Sequence, residues 1–196
     1  MKYIAFFDFD GTITKKDSLV EFIKFSIGSF QYYKGLLALS PMLLTYKLKI
    51  IPNHIAKEKL IAYFFKGWDS TRFQDIASSY SIDGIDKILR SRAIEKIVWH
   101  IEKGHEVVVV SASMEAWLKD WCKNNNLQLL ATKLEVIDGQ MTGRFSTKNC
   151  YGIEKVNRIK ENFNLTDYEH VYAYGDSLGD KEMLSIADKK HYKYFE

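Results

Sequence analysis

The sequence predicts an α/β protein whose parallel sheet is interrupted, after the first strand, by an all-helical insertion. In the second half of the chain, short apolar runs that suit strands covered on both faces alternate with helical patterns. Between residues 15 and 90 the apolar spacing is helical almost throughout. A length of 196 residues is enough for one sizeable core with a smaller insertion.

The start of the chain predicts one strand followed by helices. KYIAFFDF is a short apolar run with aromatic and β-branched residues, which is typical of a buried strand. Ser18 and Glu21 fit the S-x-x-E capping box, so we expect a helix to begin there. Apolar residues recur at three and four positions in LVEFIKF and EKLIAYFF, which extends the helical prediction.

Proline and glycine divide the rest of the chain. Pro41 should kink or divide the helical stretch at residues 30–51, and Gly104 should end the helix SRAIEKIVWHIEKG. Asp138-Gly139 predicts a hairpin in KLEVIDGQMTGRF. The remaining predicted strands are HEVVVVSAS, LQLLAT and HVYAYGDS, and the helices between and after them are MEAWLKDWCKNN, GIEKVNRIKENF and DKEMLSIAD.

The composition, 46% hydrophobic and 27% charged, is that of an ordinary globular protein. A net charge of +3 is too small to predict nucleic-acid binding. Cys122 and Cys150 lack metal-ligand spacing and no secretory signal is recognisable, so we expect a reducing cytoplasm. The longest uncharged run, residues 35–46, is too short to cross a bilayer, although it could lie at the inner membrane surface.

Three predicted strands finish with polar residues, in FFDFDGT, VVVVSAS and VYAYGDS. The carboxyl ends of parallel strands meet at one edge of the sheet, where ligands bind. The side chains expected at this edge are Asp8, Asp10, Ser111, Ser113, Asp176 and Asp180, with Lys155 on a nearby helix. Three or four carboxylates this close repel one another unless a cation lies between them, and all-oxygen ligands favour Mg²⁺.

Such a cluster suits phosphoryl transfer. One aspartate can attack phosphorus in line, while a second gives a proton to the leaving oxygen and later takes one from water. Lys155, the Ser111 hydroxyl and the backbone N–H groups after Asp8 would stabilise the charge on the transferring oxygens. Asp8 and Asp10 lie two positions apart at a strand end, so their side chains point the same way and can share one phosphate.

These segments resemble the four motifs of phosphatases in the haloacid dehalogenase (HAD) superfamily, and within it the phosphoserine-phosphatase-like branch of subfamily IB. In order, the matching segments are DFDGT, VVVVSAS, YGIEKV and GDSLGDKEML. The resemblance covers nearly the whole chain outside the helical insertion. It implies a Rossmann-like parallel core formed by residues 1–14 and 91–196, with an inserted C1-type helical cap at residues 15–90.

The resemblance also implies a role for each motif residue. Asp8 is the expected nucleophile and Asp10 the expected acid/base, and Asp8, Asp10 (through its backbone carbonyl) and Asp176 are the expected Mg²⁺ ligands. Asp180 should support the metal site. The expected phosphate-binding residues are Gly11, Thr12, Ser111, Ala112 and Lys155. Asp17, at a position where phosphoserine phosphatases carry a substrate-binding glutamate, and Glu21 are candidates for substrate recognition.

A strand end or a helix cap would explain several of these polar residues without any chemistry. This alternative applies to Asp8, Asp10, Asp17, Asp180 and Ser113, the last as a cap of the helix at Met114. Lys155 could be a solvated helix residue. The five histidines lack partners at metal-ligand spacing, so core or surface positions are expected for them.

Two departures from the family pattern count against phosphoserine as the substrate. Where a phosphoserine phosphatase would hold the substrate carboxylate with a cap arginine, the insertion offers Lys57 and Lys59. Gly179 precedes Asp180 at a position where serine-specific relatives usually carry Asn.

The insertion is basic and rich in apolar residues. From Lys24 to Lys57 there are five lysines and no Asp or Glu, which suits a membrane surface or an anionic lipid-like substrate. The apolar residues singled out are Phe30, Tyr32, Tyr33, Leu43, Leu44 and Tyr46. This segment resembles the cap of bacterial phosphatidylglycerophosphate phosphatases. The alternative is a helical bundle whose apolar faces pack on one another.

The leading hypothesis is a Mg²⁺-dependent phosphatase that acts on a small phosphorylated metabolite. Alternatives with the same catalytic residues are a lipid-phosphate phosphatase at the membrane surface, a phosphoserine phosphatase and a phosphomutase. A membrane- or partner-binding module without activity is the alternative from another class. Dehalogenation is disfavoured because Asp10 supplies an acid/base suited to phosphate esters.

Overall fold

Apolar strands form the centre of the protein, as predicted. In the computed structural model, which describes residues 2–196, five parallel strands form one sheet in the order β3-β2-β1-β6-β7. Their bounds are β1 Tyr3–Phe7, β2 Glu106–Met114, β3 Gln128–Thr132, β6 His170–Gly175 and β7 Lys189–Tyr192. The strand β7 was not predicted, because its sequence KKHY is polar and lies at the edge of the sheet.

The register of β1 fixes where the polar strand ends meet. β1 is hydrogen-bonded to β2 on one side and to β6 on the other, with Phe7 opposite Val109 and Tyr174. The Asp8 amide continues the ladder by donating to the Tyr174 carbonyl at 2.9 Å. The residues that follow β1, β2 and β6 therefore emerge side by side.

Five helices follow β1, and they confirm the predicted helical insertion. Their bounds are α1 Ser18–Ile27, α2 Ser29–Ala38, α3 Ser40–Lys47, α4 Asn53–Phe65 and α5 Ser70–Asp83. Pro41 lies in the first turn of α3 and α2 ends before it, so the predicted division is confirmed. The predicted cap boundaries, 14/15 and 90/91, fall between β1 and α1 and between α5 and the next long helix; the division into two domains stays a prediction.

The capping box predicted at Ser18 is wrong. Asp17 caps α1, because its carboxylate accepts a hydrogen bond from the Val20 amide at 3.1 Å. Ser18 is the first helical residue, and its buried hydroxyl points to the core instead. Glu21 pairs with Lys24 at 2.9 Å rather than reaching back to the start of the helix.

The rest of the chain follows the predicted alternation of helices and strands. The helices are α6 Ser91–Glu102, α7 Glu115–Asn124, α8 Ile153–Asn162 and α9 Lys181–Ser185, and the hairpin strands are β4 Leu134–Ile137 and β5 Gln140–Phe145. Asp138 and Gly139 have φ values of 49° and 74°, as the predicted hairpin turn requires. No helix among residues 2–196 is long and apolar enough to span a membrane.

The hairpin also holds the insertion. Gly143 lies against α4 so closely that a Cβ there would be 2.3 Å from the Ala62 Cα atom. Glu58 of α4 accepts a hydrogen bond from the Phe145 amide at 2.8 Å. The hairpin therefore fixes α4 above the carboxyl ends of the strands.

One face of the sheet shares a single apolar core with the insertion. Phe22 of α1 stacks on Trp117 of α7 and contacts Phe65, Phe73 and Tyr80 from the insertion. A second core covers the opposite face and includes Ile4, Phe6, Val108, Val110, Ile159 and Met183. Burial on both faces explains why the central strands are continuous apolar runs rather than alternating ones.

Candidate active site

The carboxyl ends of β1 and β2 and the loop after β6 surround a cavity of about 210 Å³. It is lined by Asp8, Asp10, Asp17, Asn53, Lys57, Ser111, Ala112, Tyr151, Lys155, Ser177 and Asp180. Most of the predicted site residues are thus brought together. Asn53, Tyr151 and Ser177 were not predicted, and Lys57 was noted only as a lysine of the insertion.

Lys155 is a buried lysine rather than a solvated one. It is 1% exposed, and its Nζ donates to Asp8 Oδ1 at 2.5 Å and to Asp180 Oδ1 at 2.6 Å. Burial by itself would lower the pKa of Lys155, but the two carboxylates more than offset this and raise it above its usual range. The lysine therefore stays charged between the two aspartates.

Asp8 follows β1 directly and is buried. Burial raises its pKa to about 7, and the Lys155 ammonium partly offsets the rise. A cation beside this carboxylate would favour its ionised form further. Asp8 is consequently a carboxylate that lines the cavity and accepts a hydrogen bond from the buried Lys155 ammonium.

Asp180 holds the loop after β6 together. Its Oδ2 accepts hydrogen bonds from the Ser177 amide at 2.9 Å, the Ser177 hydroxyl at 2.8 Å and the Asp176 amide at 3.2 Å. Burial acts to raise its pKa, but Lys155 and Ser177 lower it below the usual range. Both carboxylate oxygens are occupied, which fits a supporting position. Asp180 occupies the N-cap position of α9 without a side-chain hydrogen bond to that helix, but its carboxylate completes a capping box with Ser177 on the preceding turn, Leu178–Asp180, so the capping alternative is confirmed for that turn.

Asp10 is fixed from two directions. Its Oδ1 accepts a hydrogen bond from the Ser18 amide at 2.7 Å, and its Oδ2 accepts one from the Ser113 hydroxyl. The Ser18 hydroxyl donates to the Ser113 hydroxyl at 3.1 Å, and Trp117 Nε1 donates to the Ser18 hydroxyl at 3.2 Å. Burial and Asp17 raise the pKa of Asp10 to about 6, against the effects of Ser113 and Lys57.

This chain of hydrogen bonds corrects the interpretation of Ser113. Residue Met114, not Ser113, precedes α7 in the cap position, and no side chain caps that helix. The Ser113 hydroxyl is used by Asp10 instead. Local sequence favoured a cap, but the partner lies 103 residues away and is not visible in the local pattern.

Ser111 lies in the last part of β2, just before the irregularity in its pairing with β3, and is 1% exposed. Its Oγ accepts a hydrogen bond from the Ser113 amide at 3.0 Å, so its own hydrogen is free to donate into the cavity. The next carbonyl, that of Ala112, accepts a hydrogen bond from Lys57 Nζ at 3.2 Å. The last part of β2 therefore presents a hydroxyl donor to the cavity and a carbonyl to α4.

Asp176 lies against the turn that follows Asp8. Thr12 donates to Asp176 Oδ1 at 3.0 Å. Gly11 has a φ of 89°, and a Cβ there would be 2.3 Å from Asp176 Oδ2. A glycine is required for both reasons, since a side chain would be strained and would displace the carboxylate.

The acidic cluster fits a magnesium ion. Among residues 2–196, Asp8, Asp176 and Asp180 form the one group of three or more metal-binding side chains whose ligand atoms lie within 4.8 Å of one another. All of these ligands are carboxylate oxygens, which hard cations such as Mg²⁺ prefer. The turn at Gly11 also brings the backbone against the Asp176 carboxylate. These oxygen ligands are of the kind that the predicted Mg²⁺ ion requires.

Of the two residues predicted to recognise the substrate, Asp17 lies at the cavity and Glu21 does not. Asp17 lines the cavity and also caps α1, so the structural alternative is confirmed for its side chain. Glu21 does not line the cavity and forms ion pairs with Lys24 and Lys16.

The comparisons with known proteins agree with the motifs. The model of the haloacid dehalogenase-like hydrolase family matches residues 5–185. The chain is 35% identical over 195 residues to Protein CicA of Caulobacter vibrioides, covering 96% of this chain and 85% of that protein. It is 31% identical over 191 residues to a protein named probable phosphatase Rv3661 of Mycobacterium tuberculosis, covering 92% and 64%.

Solved structures show the same fold. A protein of unknown function from Bordetella pertussis Tohama I superposes with a TM-score of 0.79 at 21% identity, covering 95% of this chain and 87% of that one. A substrate-bound phosphoserine phosphatase superposes with a TM-score of 0.65 at 19% identity, covering 98% and 86%. The predicted fold class is confirmed by these matches. Since the family model covers nearly the whole chain, the protein belongs to the haloacid dehalogenase-like hydrolases.

Proposed function

We propose that this hydrolase is a Mg²⁺-dependent phosphatase that acts on a small phosphorylated metabolite through a phosphoaspartate on Asp8. The observation that carries the proposal is the arrangement around Asp8. Its buried carboxylate lies 2.5 Å from a buried lysine, next to two further aspartates and across the cavity from the Ser111 hydroxyl. A trianionic transition state needs this combination of a nucleophile, fixed cations and donors.

The Asp8 carboxylate, the Asp10 backbone carbonyl and the Asp176 carboxylate would hold the Mg²⁺. When bound, the ion would neutralise charge on the phosphoryl oxygens and on the carboxylates of Asp8, Asp176 and Asp180. Asp180 acts indirectly, since it fixes the 176–177 backbone and Lys155.

In the first step, an Asp8 oxygen attacks phosphorus, and the bond between phosphorus and the ester oxygen breaks. Asp10 donates its proton to the departing alcohol oxygen. The raised pKa of Asp10, about 6, keeps a protonated fraction available near neutral pH. Lys155 and the Ser111 hydroxyl stabilise the phosphoryl oxygens during the transfer.

In the second step, Asp10 takes a proton from a water molecule that attacks the phosphorus of the phosphoaspartate. The bond between phosphorus and the Asp8 oxygen then breaks, which regenerates the carboxylate and releases inorganic phosphate. Asp10 ends the cycle protonated, so both residues return to their starting states.

The test is phosphate release by purified variants. Asp8→Asn should abolish release, and Asp10→Asn should impair it most for esters with poor leaving groups. Asp75→Asn, which changes an exposed aspartate on α5, serves as the matched control. Retained turnover in Asp8→Asn with an intact fold would overturn the nucleophile assignment.

A lipid-phosphate substrate is the second candidate, and a specific observation favours it. The residues of α3 are not buried, and the largest exposed apolar side chains of this region are Phe30, Tyr33, Leu37, Leu44, Leu48 and Ile50. Self-packing therefore accounts for Tyr32, which is buried, but not for these residues. Lys34, Lys47 and Lys49 are exposed among them, so the surface is both apolar and basic.

Vesicle co-sedimentation tests this candidate. The protein should sediment with phosphatidylglycerol vesicles more strongly at low than at moderate salt, because part of the attraction is electrostatic. Leu37→Ser/Leu48→Ser should reduce sedimentation, and Val136→Ser on the hairpin is the matched control for an exposed apolar residue. No binding at either salt concentration would argue for a soluble substrate.

A further inference from the structure

We propose that Trp117 and Ser18 are positioning residues, which act through Ser113 on Asp10 and direct the proton of Asp10 into the cavity. The inference rests on the proposed function, in which Asp10 protonates the leaving group, and it adds two residues that lie outside the four sequence motifs. Neither Trp117 nor Ser18 lines the cavity, so neither is expected to touch the substrate.

Four side chains form one row of hydrogen bonds from the core to the cavity. Trp117 Nε1 lies 3.2 Å from Ser18 Oγ, and Ser18 Oγ lies 3.1 Å from Ser113 Oγ, which contacts Asp10 Oδ2. Trp117 and Ser18 are fully buried, and Ser113 is 1% exposed. Among residues 2–196, neither serine hydroxyl forms a further hydrogen bond to a side chain or a carbonyl, so each hydrogen has one acceptor.

The row has one direction, which the tryptophan sets. An indole N–H can only donate, so the Ser18 oxygen accepts on that side and the Ser18 hydrogen points to Ser113. The Ser113 oxygen accepts this hydrogen, and its own hydrogen points to Asp10. The donors therefore follow one another from the indole to the carboxyl group.

This direction determines where a proton on Asp10 can point. Asp10 Oδ1 accepts from the Ser18 amide at 2.7 Å, and Oδ2 accepts from the Ser113 hydroxyl, so each oxygen already faces a donor. The proton could turn to Ser113 only if a buried serine hydrogen lost its acceptor, which folded proteins avoid. The remaining direction is into the cavity that Asp10 lines, where the leaving oxygen of a bound ester would lie.

Packing is the competing explanation for Trp117. Its ring stacks on Phe22 with a centroid distance of 4.5 Å, in the core that the sheet shares with the insertion. A role in packing alone predicts a loss of stability, with equal effects on all esters. A role through Asp10 predicts a larger loss for esters whose leaving group needs a proton.

The experiment compares kcat for n-propyl phosphate and for p-nitrophenyl phosphate in Ser18→Ala and Trp117→Phe. Trp117→Phe keeps an aromatic ring and removes the N–H donor. Each variant should lower kcat for n-propyl phosphate by about three- to tenfold, as expected for one lost hydrogen bond, and lower it less for p-nitrophenyl phosphate. KM should stay the same for both esters, because neither residue touches the substrate.

Two matched variants control for packing. Trp121→Phe removes an indole N–H on the same helix that donates to Asp86 at 3.2 Å, and Ser26→Ala removes a hydroxyl on α1 that donates to the Phe22 carbonyl at 2.8 Å. Both should leave the ratio of the two kcat values unchanged. A wild-type ratio in folded Ser18→Ala and Trp117→Phe variants would overturn the proposal.

A double-mutant cycle tests whether the effect passes through Ser113. Ser18→Ala should change the kcat ratio in the wild type but not in Ser113→Ala, where the row no longer reaches Asp10. The same change in both backgrounds would contradict the proposal. Failure of the wild type to hydrolyse any phosphomonoester would instead contradict the proposed function; wild-type turnover with equal losses for both esters would contradict only the positioning role.

Discussion

The cavity at the strand ends, which we call the strand-end site, and the exposed surface of α2 and α3, the α2–α3 surface, differ in charge, burial and hydrogen bonding. At the strand ends, Lys155 is buried and donates hydrogen bonds to the buried carboxylates of Asp8 and Asp180. On α2 and α3, lysines and large apolar side chains are exposed, and the described residues contain no acid between Lys24 and Lys57. Under the proposed function, the chemistry belongs to the buried, hydrogen-bonded site, and the exposed basic surface is the part of the molecule that bears on the choice of substrate.

The largest effect is expected when the Lys155 ammonium, which lies between Asp8 and Asp180, is removed. Lys155→Met leaves Asp8 and Asp180 buried without their shared partner, so unfolding should become easier by about 3–5 kcal/mol. Phosphate release should fall by about 10²–10³-fold, as for other lost transition-state donors. Chemical denaturation and phosphate assays measure the two effects.

Lys160→Met, on the exposed face of the same helix, is the control for Lys155→Met. Similar stability and activity in the two variants would contradict the account, because losing the buried lysine would then cost no more than losing an exposed one.

A smaller effect is expected from the hydroxyl that fixes Asp10. Ser113→Ala removes the donor to Asp10 Oδ2, which should lower kcat/KM by about tenfold for alkyl phosphates. The loss should be smaller for p-nitrophenyl phosphate, because a good leaving group needs less proton donation. Ser113→Thr keeps the hydroxyl and should restore part of the rate; equal losses for both esters would contradict a role through Asp10.

Magnesium should stabilise the protein more at high pH than at low pH. In the metal-free protein the pKa of Asp8 is raised from 3.8 to about 7, so the folded state binds more protons than the unfolded state in this range, and the contribution of Asp8 to stability falls as pH rises towards 7. Protons compete with Mg²⁺ for the carboxylate, so the increase in Tm on adding Mg²⁺ should be larger at pH 8 than at pH 5.

At a concentration 100 times Kd, the gain at pH 8 should be about 2.7 kcal/mol. Thermal unfolding with Mg²⁺ and with EDTA measures it, and Asp176→Asn, which removes a proposed ligand, should reduce the shift. An equal shift at both pH values would contradict the linkage to Asp8.

The smallest effect is expected on the α2–α3 surface. Leu44 is 57% exposed, so Leu44→Ser should change the free energy of unfolding by no more than about 0.5 kcal/mol. Phe22→Ala, in the shared aromatic core, should cost about 3–5 kcal/mol. Urea denaturation compares them, and a large loss for Leu44→Ser would show that this surface packs against the protein after all.

The strand-end site could be predicted because its polar residues directly follow the apolar sequences that predict the strands. Asp8, Ser111 and Asp176 each follow directly after an apolar run, and parallel strands bring such ends together. The order of the helices and the turn at Asp138-Gly139 could also be predicted, because apolar spacing and the Asp-Gly pair are visible within a few residues of sequence.

The rest depends on contacts between distant residues. Ser18 and Ser113 look like helix caps locally, yet both hydroxyls belong to the chain of hydrogen bonds that leads to Asp10. Asn53 has no local signal at all, and its place at the cavity becomes visible only when α4 is packed over the strand ends. Exposure of α3 could not be predicted either, because an apolar helix looks the same whether it packs on its own domain or on a partner.

The most direct measurement is the chemical identification of the phosphorylated residue. The protein should be mixed with a rapidly hydrolysed ester, quenched in acid and reduced with borohydride, which converts a phosphoaspartate to homoserine, before peptide mass spectrometry. The proposal predicts homoserine at residue 8 in the wild type and none at that residue in Asp8→Asn. Reduction at another aspartate, or phosphate release by Asp8→Asn at the wild-type rate, would contradict it.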